Sequence, residues 1–184
     1  MGLKTEFTSG IAILTLATAM YINRPFFTQS YHPRNLEATL VEAHGYLQES
    51  YNGILITGTK EYIMAGKKAL DLIKKKDPYH WQIVQRNITR ITLNGHPGIT
   101  MDNGRFTSSA SYSKSETWFA GSIVHDAWHR QYFRNWETYS GREGEKKCME
   151  KQNNFLRRVG HSLLNIEDRL RTEYWKIGYE QRKW

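Results

Sequence analysis

The sequence predicts a single α+β domain that is mostly helical, with a small sheet or hairpin beside a central apolar helix. Apolar residues recur at helical spacing along most of the chain, and one stretch alternates β-branched with polar residues. The composition of the 184 residues, 39% hydrophobic and 13% aromatic, is that of a globular protein. The single cysteine excludes an intramolecular disulfide and a cysteine-rich zinc finger, whereas seven histidines are available as metal ligands.

Local signals predict the order of the elements. Each predicted helix has a cap or a breaker at one end: Asp77-Pro78 begins a helix, Ser113 to Glu116 has capping-box spacing, and Asn52-Gly53 ends a helix. The predicted helices are Asn35–Tyr51, Thr59–Lys76, a short helix from Pro78, one that ends near Phe133, and a long one from Glu143 to at least Arg171. The predicted strands are Ile88–Leu93 and the two arms of a hairpin, 99–101 and Arg105–Tyr112, around the turn Asp102-Asn103-Gly104.

An apolar segment near the N-terminus, Ile11–Ile22, is 12 residues long, which is shorter than the roughly 20 residues that span a bilayer. Its length and the small residues at 17–19 match the core and cleavage site of a signal peptide, although Glu6 is unusual in such a leader. Two interpretations stay open. Residues 1–30 are a signal peptide or membrane anchor of a secreted or membrane-anchored protein, or the segment is the buried first helix of a cytoplasmic one. Residues 31–184 are the predicted domain.

The motif with the clearest chemistry is His125-Asp126-Ala127-Trp128-His129. Residues four apart on a helix lie on one face, so both imidazoles come within reach of one zinc ion. Asp126 is then placed to accept a proton from a water activated by the metal. The alternative is that two unrelated histidines share this spacing by chance. The almost uncharged run before them, Trp118–Val124, indicates a buried helix, and buried histidines need partners.

Glu145 is the candidate for a third ligand. On a helical projection it falls on the apolar stripe that includes Cys148, Met149 and Leu156. A carboxylate on a core stripe is almost never left unpaired, which favours a zinc ligand. The alternative is a carboxylate near the end of a helix that reaches solvent or the helix dipole. Gln152 lies on the same stripe and is a candidate to hydrogen-bond a ligand or the backbone.

Together these segments resemble a family of small zinc metallopeptidases of the gluzincin type. The family pattern is a Pro-led helix, a strand, a hairpin, an apolar helix of the form WxAxxxxHExxH, and a helix with ExxA and a Gln. Residues 78–156 match it in order, with Pro78 first, Trp118 opening the apolar helix and Gln152 near the end. The resemblance implies a zincin-like fold.

The same resemblance implies site residues. It assigns zinc to His125, His129 and Glu145, and the catalytic carboxylate to Asp126. The chain departs from the family pattern twice, because Asp126 stands in place of Glu and Cys148 in place of Ala. The leading hypothesis is therefore a zinc-dependent peptidase or other amide hydrolase that acts on a protein or peptide substrate.

Two further hypotheses come from other observations. The shorter Asp126 supports a zinc-binding pseudoenzyme that serves as an interaction protein. The net charge of +8 supports a protein that binds an anionic cell-wall polymer, a membrane surface or, less favoured, nucleic acid. Charge runs at Lys74–Lys76, Arg157–Arg158 and Arg169–Arg171 fit a phosphate-binding surface or solvated helix ends. Tyr132 and Tyr139 flank the predicted site as candidates to stabilise an oxyanion or as packing residues.

Overall fold

A computed structural model describes residues 45–95 and 97–171. This part of the chain is α+β and mostly helical, as predicted, with one small mixed sheet. A 3₁₀ turn, Ala110–Lys114, precedes the third helix. In chain order the elements are β1 (Leu47–Tyr51), β2 (Ile54–Gly58), α1 (Lys60–Lys76), α2 (Pro78–Asn87), β3 (Arg90–Leu93), β4 (Gly98–Ile99), β5 (Arg105–Ser108), α3 (Glu116–Arg134), α4 (Gly141–Arg158) and α5 (Ile166–Arg171).

The sheet has the strand order β1-β2-β3-β5-β4, with a parallel centre and an antiparallel strand at each edge. One row of fully buried side chains crosses its centre, because Ile56, Ile91 and Phe106 are register partners on neighbouring strands. Phe119 of α3 packs on this row, with its ring centroid 6.2 Å from that of Phe106. The sheet therefore supports the helix that carries both histidines of the motif.

The predicted helix Asn35–Tyr51 is wrong over its last turns, since Leu47–Tyr51 is strand β1; residues 35–44 lie outside the described ranges. Asn52 and Gly53 both have positive φ, 51° and 81°, and form a two-residue hairpin turn rather than a helix end. The next strand, Ile54–Gly58, is apolar and largely buried. Residues 47–51 therefore form a strand because they pair with this buried strand.

The helix starts follow the predicted caps closely. Thr59 caps α1 by accepting a hydrogen bond from the Tyr62 N–H, and Asp77 caps α2, which has proline in its first turn. Ser115, not Ser113, caps α3 and accepts from the Trp118 N–H at 3.3 Å. The predicted strand beginning at Ile88 and the predicted hairpin are confirmed in shorter form as β3, β4 and β5.

The prediction of a long last helix from Glu143 to at least Arg171 is wrong in extent, because α4 ends at Arg158. Gly160 has a φ of 71°, and the N–H groups of Gly160 and His161 donate to the carbonyls of Arg157 and Leu156. This Schellman arrangement closes the helix with a glycine in the left-handed conformation. The chain then returns, and the Asn153 side chain holds the backbone of the returning residue Leu164 at both its N–H and its carbonyl. A separate short helix, α5, follows.

Among the described residues, no helix combines the length and apolar character that crossing a membrane needs. The segment Ile11–Ile22 and the predicted signal peptide or anchor at 1–30 lie outside the described residues. The prediction of a secreted or membrane-anchored protein, with a cytoplasmic protein as its alternative, stays a prediction.

Candidate metal centre

The two histidines of the motif face one point. His125 and His129 lie one turn apart on α3, and their Nε2 atoms are 2.9 Å from each other. His129 is 4% exposed, and its other ring nitrogen, Nδ1, lies 2.5 Å from the backbone carbonyl of Tyr139. Since a carbonyl only accepts, His129 Nδ1 carries the proton and Nε2 has a free lone pair in the neutral ring. This tautomer is the one that a metal ligand requires.

Glu145 reaches the same point from α4. Its Oε2 atom lies 3.3 Å from His125 Nε2 and 3.7 Å from His129 Nε2, and the residue is buried. Zinc bonds of about 2.0–2.1 Å at tetrahedral angles separate neighbouring ligand atoms by about 3.3–3.4 Å. The three observed separations, 2.9, 3.3 and 3.7 Å, lie on both sides of that value. The two imidazoles and the carboxylate thus fit one face of a tetrahedron.

Close packing of α3 against α4 makes this convergence possible. A Cβ added at Gly121 would lie 3.2 Å from a methyl carbon of Leu156 and 3.3 Å from the Gln152 side-chain nitrogen, so the helices cross where α3 has no side chain. Gly144, in the first turn of α4, lies directly against the backbone of Tyr139 in the connection between the helices. The small residues of α3 therefore permit a close neighbour, and that neighbour is the helix of Glu145.

Asp126 is the second carboxylate of the site. It is buried, and one of its oxygens lies within 4.8 Å of ligand atoms of both His125 and His129. His125, Asp126 and His129 therefore form a group that could hold a metal ion. Asp126 is adjacent to His125 on the helix, whereas Glu145 comes from another element. The site thus has two imidazoles and two carboxylates, with one carboxylate more than a three-ligand site needs.

The electrostatics of the group follow from its burial and its mutual contacts. Burial alone would raise the pKa of Glu145, but hydrogen bonds and charge interactions with His125 and His129 outweigh it and hold that pKa well below its usual range. Burial alone would lower the pKa of His129, but the Cys148 thiol and Glu145 raise it well above the ordinary value. Without a metal, the charge of the buried carboxylate is therefore balanced by a proton on His129. A metal cation would take over that role.

A cavity of about 40 Å³ opens beside these side chains, and a single water needs only about 10–15 Å³ by the same measure. The site itself contributes polar residues to the lining, and most of the other lining residues are apolar. Arg169 of α5 also lines it, with its guanidinium 5.5 Å from the Trp118 ring centroid. The full lining is Pro97, Gly98, Phe106, Tyr112, Trp118, Ser122, His125, Asp126, Glu145, Met149, Gln152, Leu164 and Arg169.

Several of these residues were not predictable from local sequence signals. The sequence places Arg169 on a continuous long helix. In the structure the helix ends before Gly160, and the chain turns back so that Arg169 lines the cavity. Tyr139 contributes its backbone carbonyl rather than its hydroxyl, and no side-chain pattern reveals that. Neither Tyr132 nor Tyr139 is among the residues that line the cavity, and the Tyr132 ring packs 5.3 Å from that of Trp128. The packing interpretation is therefore favoured for Tyr132. Gln152 does line the cavity.

No family model, no curated protein and no solved structure matches the chain. The gluzincin resemblance therefore depends on the motif residues alone. The candidate site depends on the geometry described above.

Proposed function

We propose that this protein is a zinc-dependent peptidase or other amide hydrolase with a zincin-like site. The observation that carries the proposal is the convergence of His125 Nε2, His129 Nε2 and a Glu145 oxygen at separations of 2.9, 3.3 and 3.7 Å. Two imidazoles and a carboxylate suit zinc, and such three-ligand sets are typical of catalytic sites that keep a fourth position open. The cavity beside the site is lined by His125, Asp126 and Glu145.

Asp126 is the proposed general base. When bound, zinc would lower the pKa of a water molecule and polarise a substrate carbonyl. The Asp126 carboxylate would accept a proton from the attacking water and return it to the leaving amine. His129 stays oriented through its hydrogen bond to Tyr139, and Glu145 balances charge at the site. Gln152, also at the cavity wall, provides amide groups for hydrogen bonds with substrate or a ligand side chain.

The surroundings of the cavity favour a peptide as the substrate. Gly98 belongs to β4, which is the last strand on its side of the sheet, and both Gly98 and Pro97 line the cavity. An extended peptide can pair with such an edge strand by backbone hydrogen bonds, which would bring a scissile amide to the cavity that the site residues line. The apolar lining, with Trp118 and Met149, would hold an apolar side chain beside it. A zinc helix beside an antiparallel edge strand also supports the zincin-like interpretation.

A second candidate function rests on Asp126 itself. Its oxygen is close enough to both histidines to belong to the same ligand group. If Asp126 takes the fourth position, the site is closed in the manner of a structural zinc site. The protein would then be a zinc-stabilised interaction protein without hydrolytic activity.

Metal analysis of the purified protein tests the proposal. We expect about one zinc per chain in the wild type and in His161→Ala, which removes an exposed histidine outside the site. His129→Ala and Glu145→Gln should lose most of the zinc. Hydrolysis of a generic protein substrate that stops on chelation and returns with zinc would support the enzyme. Stoichiometric zinc without hydrolysis would favour the second candidate, and a wild type without zinc would overturn both.

A further inference from the structure

A second cavity lies on the surface between α2 and α4, and it shares no lining residue with the metal centre. Three of its lining side chains are cationic, and no carboxylate is among them. Its volume of about 360 Å³ leaves room for a small hydrated ligand. The lining residues are Tyr79, His80, Lys151, Asn154, Arg157 and Arg158.

A buried Asp77–His80 pair forms the base of this region. Asp77 is fully buried, and its Oδ2 lies 2.6 Å from His80 Nδ1 and 3.2 Å from Arg158 Nε. Its Oδ1 accepts the His80 backbone N–H at 3.1 Å. The carboxylate can only accept, so the proton of the neutral His80 ring is on Nδ1.

The other nitrogen of His80, Nε2, is buried and has no hydrogen-bond partner among the described residues. His80 as a whole is 3% exposed. Buried polar atoms are nearly always hydrogen-bonded, so an unsatisfied one indicates a missing water, ion or ligand. His80 lines a cavity whose other lining residues include three cations. A missing partner of His80 Nε2 is therefore expected to be an anion.

The cations around the cavity are held in place by other contacts. Arg158 is fixed by Asp77, and an Arg157 guanidinium nitrogen donates to Asn154 Oδ1 at 3.0 Å. Lys151 Nζ lies 4.5 Å from the centroid of the Trp128 ring, which packs edge-on to His80. Side chains held in this way lose little freedom when a ligand binds. Asp77 offsets one of the three positive charges, so the cavity keeps a net positive charge.

We propose that this cavity is a binding site for a tetrahedral oxyanion of the phosphate class, free or as a phosphate monoester. The arginine forks and the Lys151 ammonium group match phosphate oxygens, and the Tyr79 hydroxyl is a further donor. His80 Nε2 accepts from a protonated phosphate oxygen or, once protonated, donates to an unprotonated one. The proposal does not depend on zinc or on hydrolysis, and it gives the Arg157–Arg158 charge run a ligand.

Calorimetric titration tests the site with inorganic phosphate, O-phosphoserine and sulfate, each against chloride at equal ionic strength. We expect phosphate and sulfate to bind and chloride not to bind. Tighter binding of O-phosphoserine than of phosphate would identify an ester as the natural ligand, and the reverse would identify the free ion. Lys151→Gln and Arg157→Gln should each weaken binding about tenfold, since each removes a hydrogen bond to a charged group. Lys75→Gln, an exposed cation outside the cavity, should not.

The pKa of the His80 imidazole supplies a local readout, compared between sulfate and chloride at equal ionic strength. Burial lowers the pKa of His80, Asp77 opposes this, and Arg158 and Lys151 lower it further. The other rings around it, Tyr79, Trp128 and Phe155, are uncharged near neutral pH. Bound sulfate, which does not titrate in this range, should favour the imidazolium form and raise the His80 pKa measured by NMR.

At constant pH, sulfate should not move the NMR signals of exposed His161. Sulfate affinity should increase as the pH falls. The proposal is overturned if phosphate and sulfate bind no better than chloride. It is equally overturned if Lys151→Gln and Arg157→Gln bind the oxyanions as tightly as Lys75→Gln does. It is also overturned if sulfate leaves the His80 pKa unchanged. Arg158 is left unchanged because its loss would leave the buried Asp77 charge with one partner fewer.

Discussion

The two imidazoles of the candidate metal centre differ in how firmly they are held. His129 is fixed at Nδ1 by the Tyr139 carbonyl and is almost fully buried. His125 is partly exposed, and its Nδ1 is buried with no hydrogen-bond partner among the described residues. A ligand whose second nitrogen is anchored loses less freedom on binding a metal. We therefore expect His129 to contribute more to metal affinity than His125.

Asp126 decides between the two candidate functions. Aspartate is shorter than glutamate by one carbon–carbon bond, about 1.5 Å, and a misplacement of about 1 Å can cost on the order of 10²-fold in rate. We expect Asp126→Glu to preserve or raise chelator-sensitive proteolysis, and Asp126→Asn to abolish it with zinc still bound. Zinc content and cleavage are measured on the same samples. Cleavage by Asp126→Asn at the rate of the wild type would exclude Asp126 as the base. Loss of zinc from this variant would instead indicate that Asp126 is a ligand.

Cys148 is a neighbour of the site rather than part of the proposed ligand set. It is fully buried, and burial raises the pKa of its thiol, although His129 opposes the shift. A neutral thiol is a poor zinc ligand. We expect Cys148→Ala to keep a full complement of zinc, as metal analysis would show, and to lose about 1 kcal/mol of unfolding free energy from reduced packing. A matching loss of zinc would instead make Cys148 a ligand.

At the scale of elements, α3 is the part that the sequence predicts best. Its cap, its buried apolar run and its histidine spacing are all local signals, and Glu145 was found through the period of its own helix. The strand Leu47–Tyr51 and the turn of the chain after Gly160 depend instead on tertiary contacts. β1 forms because β2 offers a buried pairing partner, and the chain returns because Asn153 binds the Leu164 backbone. No pattern within a single helix or strand contains that information.

The hairpin of β4 and β5 is connected to α3 through Arg130. Its guanidinium donates to the backbone carbonyls of Met101, Asp102 and, on α2, Asn87. Gly104 lies within this contact with a φ of 68°, and a Cβ there would overlap both the Asn87 carbonyl and Arg130. This connection thus requires a residue without a side chain at this position.

We expect Gly104→Ala to lower the unfolding free energy by more than about 2 kcal/mol, because strain in the left-handed conformation adds to the steric overlap. Gly95→Ala is the matched control, since nothing lies within 4 Å of a Cβ there. It should change stability by no more than about 0.5 kcal/mol. Denaturant unfolding of both variants measures the difference. Equal stabilities would show that the connection through Arg130 does not constrain the hairpin.

At the scale of the whole molecule, the net charge of +8 concerns partners rather than fold. The composition predicts an anionic partner without saying where it binds. The structure places three cationic residues, Lys151, Arg157 and Arg158, together at a cavity. Binding to a cell-wall polymer, a membrane surface or nucleic acid stays a prediction from charge.

Metal binding should be coupled to the stability of the whole chain. The proposed ligands come from α3 and α4. Unfolding of either helix would therefore separate the ligands and release the ion. A ligand that binds only the folded state stabilises it by about 4 kcal/mol when its free concentration is about 1,000 times its dissociation constant. For a chain of this length, each kcal/mol raises the melting temperature by roughly 2–4 °C. Saturating zinc should therefore raise the melting temperature by roughly 8–16 °C over the chelated protein.

Differential scanning calorimetry of four samples separates this effect from nonspecific metal binding. Wild type and His161→Ala should both show the zinc-dependent increase, because His161 lies outside the site and is exposed. His129→Ala and Glu145→Gln should melt at the same temperature with zinc as with chelator, since the first loses a ligating imidazole and the second replaces the carboxylate with a neutral amide. If zinc does not change the melting temperature of the wild type, these side chains balance one another's charges without holding a metal. An equal shift in His129→Ala would place the ion elsewhere on the chain.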